Sequence, residues 1–190
     1  MIGIDEVGRG CWAGPLLVVA ARQKHPLSLS LKDSKKLSAK QRQVLIEGIS
    51  SSCDIGEGWV EAAEVDTLGL TGAMKLAVKR ALAGLNAKSD EEIIMDGNFN
   101  YCEDVFANVT CAVKADDLYP IVSAASIYAK VARDDYMAKV GKEYPGYAFE
   151  SHVGYGTKSH SDAIRLLGVT KLHRVSYKPI KVFLELERAA

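Results

Sequence analysis

Four acidic side chains stand where apolar strands run out: Asp5 and Glu6 after Ile2 and Ile4, Asp96 after Ile93-Ile94-Met95, and Asp116 just beyond Val109 to Val113. Carboxylates carried into a sheet repel one another and lose hydration unless a cation neutralises them, so their type and placement point to divalent metal chemistry. A ligand set made only of carboxylates favours hard ions such as Mg²⁺ or Mn²⁺ over zinc. Each patch also has a plainer reading. Adjacent Asp-Glu pairs are common on surfaces, Asp96-Gly97 can be a simple turn, and only one of Asp116 and Asp117 need face a site. Strand side chains alternate faces, so Asp5 and Glu6 share one site only if the strand stops or bulges there; Gly8-Arg9-Gly10 supplies the break.

That turn also matches G-x-G-x-x-A through Gly8, Gly10 and Ala13, but its context opposes dinucleotide binding. Two carboxylates precede it where a phosphate would dock. Pro15 opens a second strand in place of the helix whose N-terminus would hold a pyrophosphate. Glycines here instead let backbone amides approach a ligand closely. His152, His160 and His173 have no neighbouring cysteine and lack zinc-finger spacing, which leaves His160 and His173-Arg174 as surface or phosphate-contacting residues. Trp12 and Trp59 read as core or loop anchors, and Lys130 with Asp134 as a surface ion pair.

The elements that must position these residues follow from periodicity. Strands are expected at Ile2 to Asp5, Leu16 to Arg22, Ile55 to Val60, Glu92 to Met95 and Val109 to Val113. Ser38 can cap a helix through Gln43, Leu45 and Ile49, and Thr71 a stronger one through Met74, Val78, Ala81, Leu82 and Leu85. The longest helical pattern, Ile121 to Val140, carries a stripe of Ala124, Ala125, Ala129 and Ala132 suited to close packing on a sheet. Ser159 with Asp162 resembles a capping box, with Gly168 as the stop. Strands followed by alternating helices and strands imply an α/β fold with a mixed, helix-layered sheet.

The 190 residues fit one domain, 1–190, with residues from about 144 to 190 as a C-terminal extension. Cys11, Cys53, Cys102 and Cys111 form no CxxC pairs, consistent with a reduced, cytoplasmic setting. No leader or membrane-length apolar run is expected. Net charge is zero, but charge is sorted by region. Lys32, Lys35, Lys36, Lys40 and Arg42 face only Asp33 between residues 31 and 42, while residues 90 to 117 hold eight acidic residues against Lys114. An acidic site flanked by basic segments suits a metal-dependent enzyme acting on phosphodiesters.

MIGIDEVGRG, LKDSKKL, MDG, KAD followed by YPIVSAASIYAKVARD, and SHVGYGTKSH with HRVSYKP occur in this order along nearly the whole chain, and together they resemble ribonuclease HII, the type 2 ribonuclease H. The resemblance implies a ribonuclease H-like fold with a five-stranded mixed sheet flanked by helices, and a C-terminal helical extension that contributes to substrate binding. It places the family's catalytic and metal-binding acids on Asp5, Glu6, Asp96 and Asp116. Gly8, Arg9 and Gly10 match the loop that recognises the ribonucleotide through its 2′-hydroxyl, and Tyr155 the tyrosine that stacks on the sugar. Two Mg²⁺ or Mn²⁺ ions shared by the carboxylates would support in-line hydrolysis. The implied activity is cleavage of the RNA strand of RNA/DNA hybrids and incision 5′ of ribonucleotides embedded in DNA duplexes, leaving 3′-hydroxyl and 5′-phosphate ends. Lys35, Lys36 and Lys158 would hold phosphates without reading sequence. A monomer is expected, with no membrane partner; a replication clamp is conceivable, but the helix-compatible tail Lys181 to Ala190 carries no clear clamp-binding signature. Two rivals are a proofreading exonuclease or integrase of the same fold, which typically carries Asp-x-Glu or widely spaced acids, and a non-catalytic nucleic-acid-binding module.

Overall fold

The computed structural model describes residues 1–27 and 39–189, so Lys35, Lys36 and the Ser38 cap lie outside the described residues. β1 (Ile2–Val7) pairs antiparallel with β2 (Leu16–Gln23), and β2 antiparallel with β3 (Cys53–Val60). On its other side β1 runs parallel to β4 (Ile93–Asp96), and β4 parallel to β5 (Val109–Ala112). The result is the expected five-stranded mixed sheet, ordered β3-β2-β1-β4-β5. Leu16, Leu17, Val18, Val19, Ala20 and Ala21 are all fully buried, because β2 is covered on both faces and therefore reads as a continuous apolar run without alternation.

One face packs on α2 (Ala62–Gly84): Ile2, Ile4, Leu16, Val18 and Ala20 meet Val65, Met74, Val78 and Leu82. The opposite face packs on α4 (Pro120–Glu143): Leu17, Val19, Ala21 and Ile94 meet Ile121, Val122, Ala125 and Ala129. The alanine stripe lets α4 come so close that a Cβ on Gly3 would lie 2.6 Å from the backbone of Ile121 and Val122. α1 (Ala39–Ser52) adds Ile49 against Ala124 and Ile127. α3 (Ala115–Leu118) is a single turn between β5 and α4.

Two helix caps differ from expectation. α2 carries an added first segment from Ala62, where Glu61 and Glu64 form a reciprocal capping box, and the expected helix follows the break at Gly69, beside Thr71. Gly69, at φ 67°, breaks α2 internally, so only the segment after the kink shows strong periodicity. α6 (Lys158–Leu167) is capped by Thr157, whose hydroxyl accepts from the His160 amide; the Ser159 and Asp162 pairing is not the cap, while Gly168 ends the helix as expected. α5 (Phe149–His152) and α7 (Lys178–Ala189) complete the chain. Tyr147, Phe149, Ile164, Leu172 and Ile180 close a separate core against Ala13, Met137 and Val140, which binds the C-terminal segment to the end of α4 and the β1–β2 loop.

Candidate functional site

β1 and β4 are paired only as far as Ile4 and Met95, so the residues just beyond stand at the carboxyl ends of two adjacent parallel strands. Asp5, Glu6 and Asp96 stand there. Asp5 is buried, with 8% exposure; it lies on the α4 face with Gly3 and is hydrogen-bonded by Ser126 of α4. Burial first, then the neighbouring charges of Glu6 and Asp96, push its carboxyl up to about 7, against the lowering effect of Ser126 and the Glu6 amide. Burial also raises Glu6, opposed by Arg9, whose Nη1 lies 3.5 Å from Glu6 Oε1.

The strand does not stop or bulge at Asp5-Glu6: β1 continues to Val7 in unbroken register with β2. By alternation Glu6 projects to the α2 face, where Arg9 reaches both its carboxylate and, at 3.2 Å, the hydroxyl of Tyr101. The two acids therefore lie on opposite faces of the strand end. Asp96 ends β4, and its Oδ1 accepts from the Ala115 amide at 2.7 Å, which draws α3 onto the strand end. Asp116 is the next residue, 9% exposed, with Oδ1 shielded from solvent. Among the described residues no three potential ligands are already closed into a cation cage. The donor set nonetheless fits a hard divalent ion: it is all carboxylate, and Asp5 is buried in a state that a cation would neutralise.

The loop from Gly8 to Pro15 follows directly on the carboxyl end of β1. Gly8 has φ 82°, and a Cβ there would collide with the Arg133 guanidinium, so the fold itself requires glycine. Gly10 is different: its φ is ordinary and an added Cβ would meet nothing within 4 Å. Tyr155, 41% exposed, lies near the loop, its phenol hydrogen-bonded with the thiol of Cys11. Lys158 is exposed at the first turn of α6. The structure thus brings Asp5, Glu6 and Asp96 near one another at the carboxyl ends of β1 and β4, seats Asp116 next to the Ala115 amide that Asp96 holds, and brings Tyr155 to the glycine loop. Lys130 and Asp134 form the expected ion pair at 2.6 Å.

His160 and His173-Arg174 are not surface residues. His160 and Arg174 have no exposure and His173 has 2%. His152 and His160 stack at 4.3 Å, His160 and His173 meet through their Nε2 atoms at 3.1 Å, and Phe149 packs against all three rings. Burial lowers both His160 and His173 to about 4, so these two rings are neutral. His160 Nδ1 bonds the carbonyl of Tyr155 at 2.9 Å, and its Nε2 is engaged by His173, so it props the tyrosine segment from beneath. Ser126, Arg133 and Tyr101 carried no sequence signal toward the site; their placement follows from packing alone.

The family model described as ribonuclease HII matches residues 2–180. Curated ribonuclease HII proteins of Wolbachia from Brugia malayi and of Campylobacter concisus are each 44% identical to the chain. The first alignment covers 94% of this chain and 87% of the relative, the second 92% and 91%. Among solved structures, the Archaeoglobus fulgidus ribonuclease HII in a complex with PCNA superposes with TM-score 0.80 at 25% identity, covering 94% of each chain. The Pyrococcus horikoshii ribonuclease H2 superposes with TM-score 0.79 at 24% identity over 100% and 99%. A ribonuclease HIII described in complex with Mn²⁺ shares the fold at TM-score 0.70 and 20% identity, over 100% of this chain and 70% of its own. With its acidic residues at the ends of parallel strands in a sheet shared with these proteins, the chain belongs to the ribonuclease HII family and is a metal-dependent endoribonuclease acting on RNA/DNA hybrids.

Proposed function

We propose that Asp5, Glu6, Asp96 and Asp116 are the catalytic carboxylates and hold Mg²⁺ or Mn²⁺, and that the enzyme also incises 5′ of single ribonucleotides embedded in duplex DNA, leaving 3′-hydroxyl and 5′-phosphate ends. The observation that supports this reading is the placing of buried Asp5 beside Glu6 and Asp96 at the carboxyl ends of β1 and β4, with buried Asp116 following the Ala115 amide that Asp96 holds. Divalent ions bound there supply Lewis-acid stabilisation of the charge that develops on the phosphate and on the leaving 3′-oxygen. The protein's own part is to hold four acceptors in place. Ser126 orients Asp5, the Ala115 amide orients Asp96, and Arg9 restrains Glu6.

Selection of RNA needs a contact to the 2′-hydroxyl, the group DNA lacks. Gly8, Arg9 and Gly10 are proposed to make it. Gly10 supports this, since nothing in the fold requires glycine there, whereas a ligand pressed against the backbone would. Tyr155 offers an exposed ring for the sugar, and Lys158 a charge for a phosphate; Lys35 and Lys36 are assigned phosphate contacts on the family resemblance. Residues 144 to 190 belong in this reading to one catalytic unit, as an extension that shapes the substrate-binding side, and the enzyme works as a monomer. Asp5→Asn tests the assignment. With Mg²⁺ or Mn²⁺ it should abolish cleavage of a hybrid and of a duplex with one embedded ribonucleotide, while duplex binding persists. Full turnover by Asp5→Asn, or equal cutting of an all-DNA duplex by the native enzyme, would falsify it.

A further inference from the structure

Arg133 and Arg174 are the largest fully buried side chains among the described residues. Burying a guanidinium costs several kcal/mol unless its donors are met. Here they are met by backbone carbonyls, most of them from one loop. Arg133 donates from Nε to Pro15 O at 2.8 Å, from Nη1 to Val153 O at 2.7 Å and from Nη2 to Ala13 O at 3.2 Å. Arg174 donates to Gly14 O from Nε at 3.2 Å and Nη2 at 2.9 Å, and from Nη1 to Arg9 O at 2.9 Å. The same Nη1 donates to the Tyr177 hydroxyl at 2.9 Å, and that hydroxyl donates to Arg9 O at 2.6 Å. The segment is itself anchored, because Asp66 of α2 accepts from the amides of Val175 and Ser176 and from the Ser176 hydroxyl.

The Arg9 carbonyl is thus gripped twice. In a trans peptide the carbonyl and the following N–H point in opposite directions, and no peptide bond among the described residues is cis. Fixing the Arg9 carbonyl toward Arg174 and Tyr177 therefore turns the Gly10 amide away from them, and an added Cβ at Gly10 would meet nothing within 4 Å.

We propose that Arg174 and Tyr177, supported by Arg133, are positioning residues that aim the Gly10 amide at the substrate and thereby set discrimination between ribonucleotide and deoxyribonucleotide. This rests on the proposed role of the Gly8–Gly10 loop, and the test separates the two. Dissociation constants are measured without divalent metal, so that nothing is cleaved, for a duplex carrying one ribonucleotide and for the all-DNA duplex of the same sequence. Tyr177→Phe removes only the hydroxyl. Arg174→Lys keeps the charge but cannot span Gly14 and Arg9 together. Gly10→Ala alters the loop without disturbing the fold.

Losing one hydrogen bond at a charged cluster should shrink the affinity ratio between the two duplexes about three- to tenfold in Tyr177→Phe and Arg174→Lys, with all-DNA binding unchanged. Gly10→Ala should shrink it as well. A reduced ratio in Gly10→Ala alone overturns the positioning role and leaves the loop's role standing. An unchanged ratio in Gly10→Ala removes the loop's role, and the proposal with it. Equal weakening toward both duplexes in Tyr177→Phe marks a purely structural role and also overturns the proposal. Should Arg174→Lys fail to fold, Tyr177→Phe still decides.

Discussion

Individual side chains here are understood through what they lose on burial. His160 and His173 are held neutral because an imidazolium in that aromatic pocket would be stripped of water; both sit near 4, below the usual 6.5. A folded-state value depressed below the unfolded one means the contribution is complete above about 6.5 and is lost as pH falls toward 4. This pair should therefore lower the melting temperature between pH 7 and pH 4.5, against an opposite contribution from Asp5, whose carboxyl is pushed up to about 7. His160→Phe, which keeps a ring beside Phe149 and Trp12, should melt lower at pH 7 yet lose less on acidification; a slope as steep as the native one would contradict the assignment. The acids were legible from their place after apolar runs. These histidines were not, since imidazole is found inside and outside proteins with similar ease, and only the packing of Phe149 and Tyr147 around them decides.

Among the elements, the pairing of β1 with α4 controls the site. Gly3 lets α4 lie directly on the strand, and α4 brings Ser126 to Asp5. Gly3→Ala should force the helix outward and cost about 1–3 kcal/mol by denaturant titration. Cleavage should fall further than stability alone explains, as read by comparing turnover with the folded fraction. Unchanged stability would mean that the contact relaxes freely. All five strands and the long helix could be read from apolar runs and the alanine stripe. The start of α2 was hidden because its first turns are polar on one side and Gly69 interrupts the repeat, so the signal begins only after the kink. The expected break at Asp5-Glu6 is an inference from alternation, and the intact register to Val7 leaves the two acids on opposite faces of the strand end.

For the whole molecule, the C-terminal segment shares a core with Ala13, Met137 and Val140 and supplies the Arg174 that enters the β1–β2 loop. The chain should therefore unfold in one cooperative transition, with the same midpoint by far-UV and near-UV circular dichroism. Truncation after Glu143 should broaden or abolish it, because the core around Phe149 and Ile180 is lost and Arg133 loses its Val153 partner. A truncated chain with a sharp native-like transition would show that residues 144 to 190 fold as an independent appendage.

By itself the sequence determined the strands, the long helix and the family resemblance, and singled out the four candidate carboxylates, because apolar periodicity and short motifs are local properties of the chain. Only the tertiary structure decided which face each acid takes, that three histidines are buried, and that Arg174 grips a carbonyl 165 residues away in the chain. Those outcomes depend on desolvation and on contacts between remote segments, and residue type and spacing encode neither until the sheet and its helices have closed around them.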